Sequence, residues 1–285
     1  MAIRPASTDP IAKYILGLYH KAFIEQENAQ VRKLPLVIGI SGPQGSGKST
    51  VVAAVAKVLR SKNLNVVDFS LDDVYLTHQD QVALSNANPD NKLVSHRGLP
   101  GTHDVKLCLN VFDDLLQQKP TNTPRYDKSA FQGQGDRSTN TFPVKPYYDI
   151  VLFEGWCVGF RQLPESVVEQ IWKASTGPLS HHSLDHVKFV NRALAQYDQI
   201  WSKFHALIQI EALDLNYIYE WRTQQEHDLI QKKGSGMTDA QVRQFVDGYM
   251  PAYELYLRTL QQTRSLAITL NRDRKVVNLQ EPNKL

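Results

Sequence analysis

Apolar residues along this chain fall into two regimes. The first is short and mostly unbroken: Leu34-Pro-Leu-Val-Ile-Gly-Ile40, Leu64 to Ser70, Tyr148 to Phe153, Phe204 to Ile210, and Leu266 to Leu270. Apolarity that does not alternate with polar residues is what a parallel strand requires when helices cover both its faces. The second regime is helical. Ile11, Tyr14, Ile15, Leu18, Tyr19 and Phe23 recur at three- and four-residue steps, predicting a leading amphipathic helix from Ile11 to Glu27 within residues 1–30. That helix packs on the core or, alternatively, docks a partner. Thr50 to Arg60 and Val105 to Gln118 also read as helices, the latter through Leu107, Leu109, Val111, Leu115 and Leu116. Five strands separated by helices predict a doubly wound α/β sheet, which binds ligands at the carboxyl ends of its strands.

Two polar, turn-rich segments, residues 76–104 and 120–146, are too long for plain connectors and are expected to form substrate-binding walls. No internal repeat, low-complexity tract or linker interrupts the chain, so residues 1–285 read as a single domain. Composition narrows the classes. With 42% hydrophobic residues there is material for a sizeable core, and a net charge of +3 lacks the concentrated basic stripe of a nucleic-acid binder. No run approaches the roughly 20 apolar residues that span a bilayer. Met1 to Asp9 lacks a secretory pattern, and Glu25 and Glu27 come early for an acid-poor transit peptide. Cys108 and Cys157 stand in unrelated contexts without metal-ligand spacing, so a reducing, cytoplasmic setting is expected.

The strongest chemical signal is Gly42-Pro43-Gln44-Gly45-Ser46-Gly47-Lys48-Ser49, with Thr50 opening the helix behind it. It fits G-x-x-x-x-G-K-[ST] at every fixed position, between an apolar strand and a helix. Glycines let the backbone curl until successive N–H groups point at phosphate oxygens, and the helix dipole aims at the same anion. Lys48 is placed to reach the β- and γ-phosphates, and the Ser49 hydroxyl to ligate Mg²⁺.

That loop suits GTPases and motors as well as kinases, so the acids must discriminate. Phe69-Ser-Leu-Asp72-Asp73-Val-Tyr75 sets two carboxylates at the carboxyl end of a strand. Asp72 is the candidate base for an acceptor hydroxyl, with Asp73 in reserve; a helix-capping role is the alternative for one of the pair. Glu154, at the tip of the next apolar strand, is the candidate acid for Mg²⁺, held directly or through water. Arg97, His103, Tyr126, Lys128 and Arg137, together with Tyr75, are expected to recognise a small polar acceptor, a use that explains loops so rich in charge and glycine.

The stretches SGPQGSGKST, SLDDVYLTHQDQ, NKLVSHRGLPGTHD, PRYDKSAFQGQGDRS, FEGWCVGF and WRTQQEHDLIQKKGSGMTDAQVRQFVDGYMPAYELYL carry a likeness over about residues 36–270. Through them the chain resembles the D-glycerate 3-kinases of plants and, more closely, their fungal P-loop kinase relatives, in the wider class of phosphoribulokinase, uridine kinase and pantothenate kinase. The resemblance implies a P-loop NTPase three-layer sandwich: a five-stranded parallel sheet, helices on both faces, and a lid near residues 215–255. It implies ATP and Mg²⁺ as the donor system. Asp72 falls where the class has its catalytic aspartate, although Val74 replaces an aromatic residue of that motif. Arg222 falls in the lid segment, where an arginine reaches the phosphates, and Asn271 in the loop that flanks adenine. Leu99-Pro100 departs from the plant pair and follows the fungal form.

Three functions stand open at this point. One is an ATP-dependent small-molecule kinase with D-glycerate as leading acceptor. Another is a kinase of the same build for a nucleoside, a pantothenate-like compound or another sugar acid. The last is an ATP-binding regulatory protein with little transferase activity. None calls for a nucleic-acid or membrane partner.

Overall fold

The computed structural model describes residues 5–29 and 34–281; residues 1–4 and 30 of the expected leading segment lie outside the described residues. Six strands make one sheet: β1 (Leu36–Ser41), β2 (Val66–Ser70), β3 (Ile150–Gly155), β4 (Ala206–Ala212), β5 (Leu266–Leu270) and β6 (Val276–Gln280). Their spatial order is β6-β5-β4-β1-β3-β2. The five apolar runs become the five parallel strands, most of them starting two residues later than the run itself. Ile38 on central β1 lies opposite Leu152 on one side and Ala206 on the other. The sixth strand, not anticipated, adds antiparallel to β5 at the sheet edge. Four of its five residues are exposed, so it lacks the buried apolar run that announces the others.

Among the described residues ten α-helices flank the sheet: α1 (Thr8–Ala29), α2 (Lys48–Arg60), α3 (His78–Ala87), α4 (Val105–Leu116), α5 (Glu165–Ala174), α6 (Leu184–Ala193), α7 (Asp198–Trp201), α8 (Asn216–Lys233), α9 (Asp239–Asp247) and α10 (Met250–Thr263). Side chains of successive strand residues alternate between faces. Leu36, Ile38 and Ile40 of β1 and Ile150 and Leu152 of β3 pack with Ile11 and Ile15 of α1 and Val52, Val55 and Leu59 of α2. Val37, Val151 and Phe153 point the other way, into a core with Phe112 of α4, Trp201 of α7 and Tyr256 of α10. This is the expected three-layer α/β arrangement. Gly39 belongs to it through its lack of a side chain: a Cβ there would stand 2.5 Å from the Phe204 ring.

α1 packs on the core, as the first of its two readings expects. Its Tyr14 hydroxyl donates to the Ser265 carbonyl at 3.1 Å and its Tyr19 hydroxyl to Asp149 Oδ1 at 3.0 Å. Among the described residues no helix is long and apolar enough to cross a membrane. The segment 76–104 is not plain loop: it contains α3, capped by Thr77 Oγ1 accepting from Asp80 N. α3 buries little beyond Gln81, so it has no apolar stripe to reveal it. Segment 120–146 forms two short ribbons, Thr121–Thr123 with Phe142–Val144 and Tyr126–Asp127 with Asp136–Arg137.

Candidate active site

The glycine-rich loop runs from the end of β1 into α2. Gly47 caps that helix at φ 82°, and Gly45 has φ 76°. Both values lie in the left-handed region that glycine enters without a steric cost. At Gly45 space matters as well: a Cβ would meet Trp221 Cβ at 2.7 Å and the Trp221 carbonyl carbon at 2.9 Å, so α8 closes directly on the loop. Gly42 N–H donates to Gly155 O at 3.4 Å, tying the loop to the end of β3. Gln44 Oε1 accepts from the Tyr253 hydroxyl at 2.6 Å, which links the loop to α10. Ser46, Lys48, Ser49 and Thr50 lead into the first turn of α2, whose early N–H groups have no intrahelical acceptor and suit an anion. Beside Ser41, Gly42 and Pro43 lies a cavity of about 190 Å³ floored by Trp156, Phe160 and Tyr253. A broader hollow of about 670 Å³ lies away from the loop, along the outer edge of β2 near Arg60 and Phe142.

Parallel pairing puts Glu154 of β3 beside Ile40 of β1, and so at the mouth of the loop. Its carboxylate is buried and divided between two partners: Oε2 pairs with Lys48 Nζ, and Oε1 accepts from Ser49 Oγ at 2.9 Å. Ser70 Oγ donates to the Glu154 carbonyl at 3.2 Å, joining β2 to the same corner. A hydroxyl and a carboxylate in contact are hard oxygen donors of the kind Mg²⁺ selects. Among the described residues no cluster of three acidic, histidine or cysteine side chains could hold a metal unaided. Ser49 and Glu154 would therefore hold such an ion together with the phosphates of the nucleotide.

The adjacent carboxylates have separated duties. Asp73 is committed to the short helix at residues 71–74: its Oδ2 accepts from Ser70 N at 3.0 Å and lies 3.1 Å from Arg125 Nη1. The capping alternative therefore falls on Asp73, and its side chain is turned to that cap and to Arg125 rather than held in reserve. Asp72 points out of the helix to Lys128, at 2.6 Å. Burial alone would raise the Asp72 pKa, but the charges of Lys128 and Lys48 and the Lys128 hydrogen bond outweigh it and bring it down to about 2.

The two expected walls meet over this carboxylate. Arg97 donates to the carbonyls of Gly133 (2.8 Å), Gln134 and Lys128 (3.4 Å) and stands over the Tyr126 ring at 5.5 Å. Arg137 is a clamp, reaching Asp104 Oδ2 at 3.0 Å and Tyr75 O at 3.2 Å. Tyr75 is buried, stacked on His103 with centroids 4.5 Å apart, and Tyr126 packs edge-on to it. His103 is buried and neutral, burial having pushed its pKa down to about 4 against the opposing pull of Asp72. Its Nδ1 lies 2.7 Å from the Tyr197 hydroxyl. That hydroxyl accepts from Gly101 N at 2.9 Å, and since an amide N–H cannot take a proton in return, donation to His103 Nδ1 is what gives the buried hydroxyl proton a partner. His103 Nε2 then carries a hydrogen, buried without a partner among the described residues.

Arg222, on α8, lies one residue beyond the Trp221 contact with the loop; it pairs with Glu226 at 2.9 Å and stands over the Phe245 ring at 5.1 Å. Asn271 holds a tight turn: its Oδ1 accepts from Asp273 N (3.1 Å) and Lys275 N (2.9 Å). Sequence reasoning missed Tyr197, Trp156, Tyr249 and Tyr253. Trp156 Nε1 donates to Gly98 O at 3.1 Å, and Tyr249 packs edge-on against Trp156. All four read as ordinary core aromatics, and no spacing ties them to the polar loops.

The phosphoribulokinase / uridine kinase family model matches residues 37–168. An uncharacterized kinase of Schizosaccharomyces pombe is 45% identical over 233 residues, covering 79% of this chain and 82% of that protein. The chain belongs to the phosphoribulokinase/uridine kinase family. It is similar to the chloroplastic D-glycerate 3-kinase of Arabidopsis thaliana, 36% identical over 85% of this chain, though it spans only 54% of that enzyme's length. Its fold follows a D-glycerate 3-kinase structure from Cryptococcus neoformans with a TM-score of 0.88, 34% identity, and coverage of 95% of this chain and 99% of the other. This family member is thus an ATP-dependent kinase that works with Mg²⁺.

Proposed function

We propose that this kinase phosphorylates a hydroxyl of D-glycerate or a closely similar small hydroxy acid. The observation that carries the reading is Asp72: an ionised carboxylate in the short helix that follows β2, hydrogen-bonded by Lys128 and within reach of the charge of Lys48 in the phosphate cradle. The bonds of Arg97 go to peptide carbonyls, and among the described residues no carboxylate pairs with it. An acceptor with a carboxylate beside its hydroxyl answers both features. The names of the plant and Cryptococcus relatives support the same acceptor.

In this account the loop amides and Lys48 hold the triphosphate, with Ser49 and Glu154 toward Mg²⁺, which offsets charge on the phosphates. Arg97 and Lys128 take the acceptor carboxylate. Lys128 is half exposed, so water can solvate its ammonium as it exchanges Asp72 for the acceptor. As it turns to the acceptor, Asp72 loses its nearest cation and becomes a better hydrogen-bond acceptor when the hydroxyl arrives. The hydroxyl oxygen attacks the γ-phosphorus, the bond to the β–γ bridging oxygen breaks, and the hydroxyl proton passes to Asp72. Asp72 first orients the hydroxyl and takes its proton only as the bond to phosphorus forms, which suits a loose transition state. Arg222 and His103 Nε2–H supply further donors, to phosphate and acceptor respectively.

The test is steady-state ADP release with D-glycerate, L-glycerate, uridine and pantothenate as acceptors. D-Glycerate is expected to lead uridine and pantothenate in kcat/KM by on the order of 10⁴-fold, the discrimination available when buried polar groups would otherwise go unpaired. A faster reaction with uridine or pantothenate defeats the proposal.

A further inference from the structure

The turn that leads into the unanticipated strand β6 delivers one side chain to the cradle. The β5–β6 turn is closed by Asn271 N donating to Lys275 O at 3.0 Å and Arg274 N donating to Asn271 O at 2.9 Å. Within it Arg274 has φ 58°, a conformation that opposes any residue with a Cβ and where hairpins ordinarily place glycine or asparagine. Turn formation therefore gives no reason for an arginine here, and its reach does. Arg274 Nε donates to Gly45 O at 2.7 Å, Nη1 to Gln224 Oε1 at 2.7 Å and Nη2 to Trp221 O at 3.3 Å. The guanidinium also stands 5.4 Å over the Trp221 ring. All three bonds end on uncharged oxygens, and burial lowers the Arg274 pKa without abolishing its charge. One planar fork thus ties the phosphate loop to α8, the helix that carries Arg222.

We infer that Arg274 is a positioning residue for ATP, acting through the Gly45–Ser46 peptide. Within one trans peptide the carbonyl and the N–H point in opposite directions. Gripping Gly45 O from outside therefore fixes where Ser46 N–H points. That N–H makes only a long bond, 3.3 Å, to Pro43 O, which a phosphate oxygen can replace. The same fork sets the distance between cradle and α8, and so the approach of Arg222. Gly45 has no side chain to steady its own peptide plane, because a Cβ there would strike Trp221. The inference rests on the chain being an ATP-dependent kinase and not on the identity of its acceptor.

The experiment uses the full chain with Arg274→Gly and Arg274→Lys. It measures Mg·ATP affinity by titration without acceptor, KM for each substrate, and the melting temperature without nucleotide. Arg274→Gly relieves the backbone strain while removing the fork. It is expected to bind ATP about tenfold more weakly, the equivalent of losing one charge-assisted hydrogen bond, with acceptor KM within about twofold and melting temperature not lowered. Arg274→Lys keeps the charge but cannot span two carbonyls, so it falls in between. ATP affinity within about twofold of wild type in Arg274→Gly overturns the inference. So does a weakening of ATP matched by an equal change in acceptor KM and a lower melting temperature.

Discussion

Replacing Asp72 by Asn keeps the shape of the side chain and removes its charge. The carboxylate lies 2.6 Å from Lys128 Nζ, and although burial raises its pKa, the two lysines and the hydrogen bond bring it from 3.8 to about 2. That difference is worth roughly 2–3 kcal/mol in favour of the ionised form, an upper bound because the Lys128 end is half exposed to water. The folded-state pKa is the lower one, so this stability is present above about pH 4 and lost as pH falls toward 2. Asp72→Asn is therefore expected to melt lower than wild type at pH 7, with the gap narrowing as pH drops toward 3. Catalysis has a separate magnitude. Removing a positioned proton acceptor costs about 10²- to 10⁴-fold in rate, or roughly 3–5 kcal/mol, and a loose transition state places this reaction toward the lower figure. ATP affinity should hold, since among the described residues Asp72 pairs with Lys128 while Lys48 of the cradle pairs with Glu154. Coupled ADP release at saturating substrates, ATP titration and melts at pH 7 and 3 measure all three quantities. A variant that turns over at the wild-type rate refutes the role of Asp72, and one that loses ATP binding in proportion to rate refutes the separation of the two sites.

Gly45→Ala forces a Cβ to within 2.9 Å of the Trp221 backbone at positive φ; ATP affinity should fall at least about tenfold, seen by titration. Glu154→Gln presents an amide to Lys48 and Ser49, two donors that a carboxylate satisfied; kcat should fall by on the order of a hundredfold and the Mg²⁺ activation midpoint should rise, read from a metal titration of the rate. His103 has its pKa lowered to about 4, below its unfolded value, so the unfolded chain takes up more protons and stability drains away as pH falls from 6.5 toward 4. Between pH 7 and 5 wild type should lose roughly 2 kcal/mol that His103→Gln does not, as measured by urea unfolding. Tyr197→Phe removes the proton that fixes the His103 tautomer, and should raise acceptor KM several-fold while leaving ATP KM unchanged.

How much of this could be read in advance depended on whether burial left a pattern. β1, β3 and β5 are buried along their whole length, so their unbroken apolarity was visible. β6 is stabilised by one neighbour and a turn, with Val277 and Leu279 exposed, and reads as tail. α8 is polar over most of its length because it spans the cradle and α9 rather than a single core, so its boundaries were not legible. The phosphate loop was legible because its chemistry is consecutive in sequence. The acceptor side was not, because Asp72 meets Lys128 from 56 positions away and His103 meets Tyr197 from 94. Only a fold that stacks β2, the polar walls and the turn ahead of α7 brings these together. The division between Asp72 and Asp73 lay likewise in which oxygen Ser70 N reaches, a matter of one short helix.

The central claim is that a phosphoryl group passes from the cradle to a hydroxyl held at Asp72. Phosphorus-31 NMR of the protein with Mg·ATP and D-glycerate tests it most directly. A new phosphomonoester resonance is expected to grow in step with ADP. Its absence, with ATP bound but either intact or merely hydrolysed to free phosphate, would contradict the account.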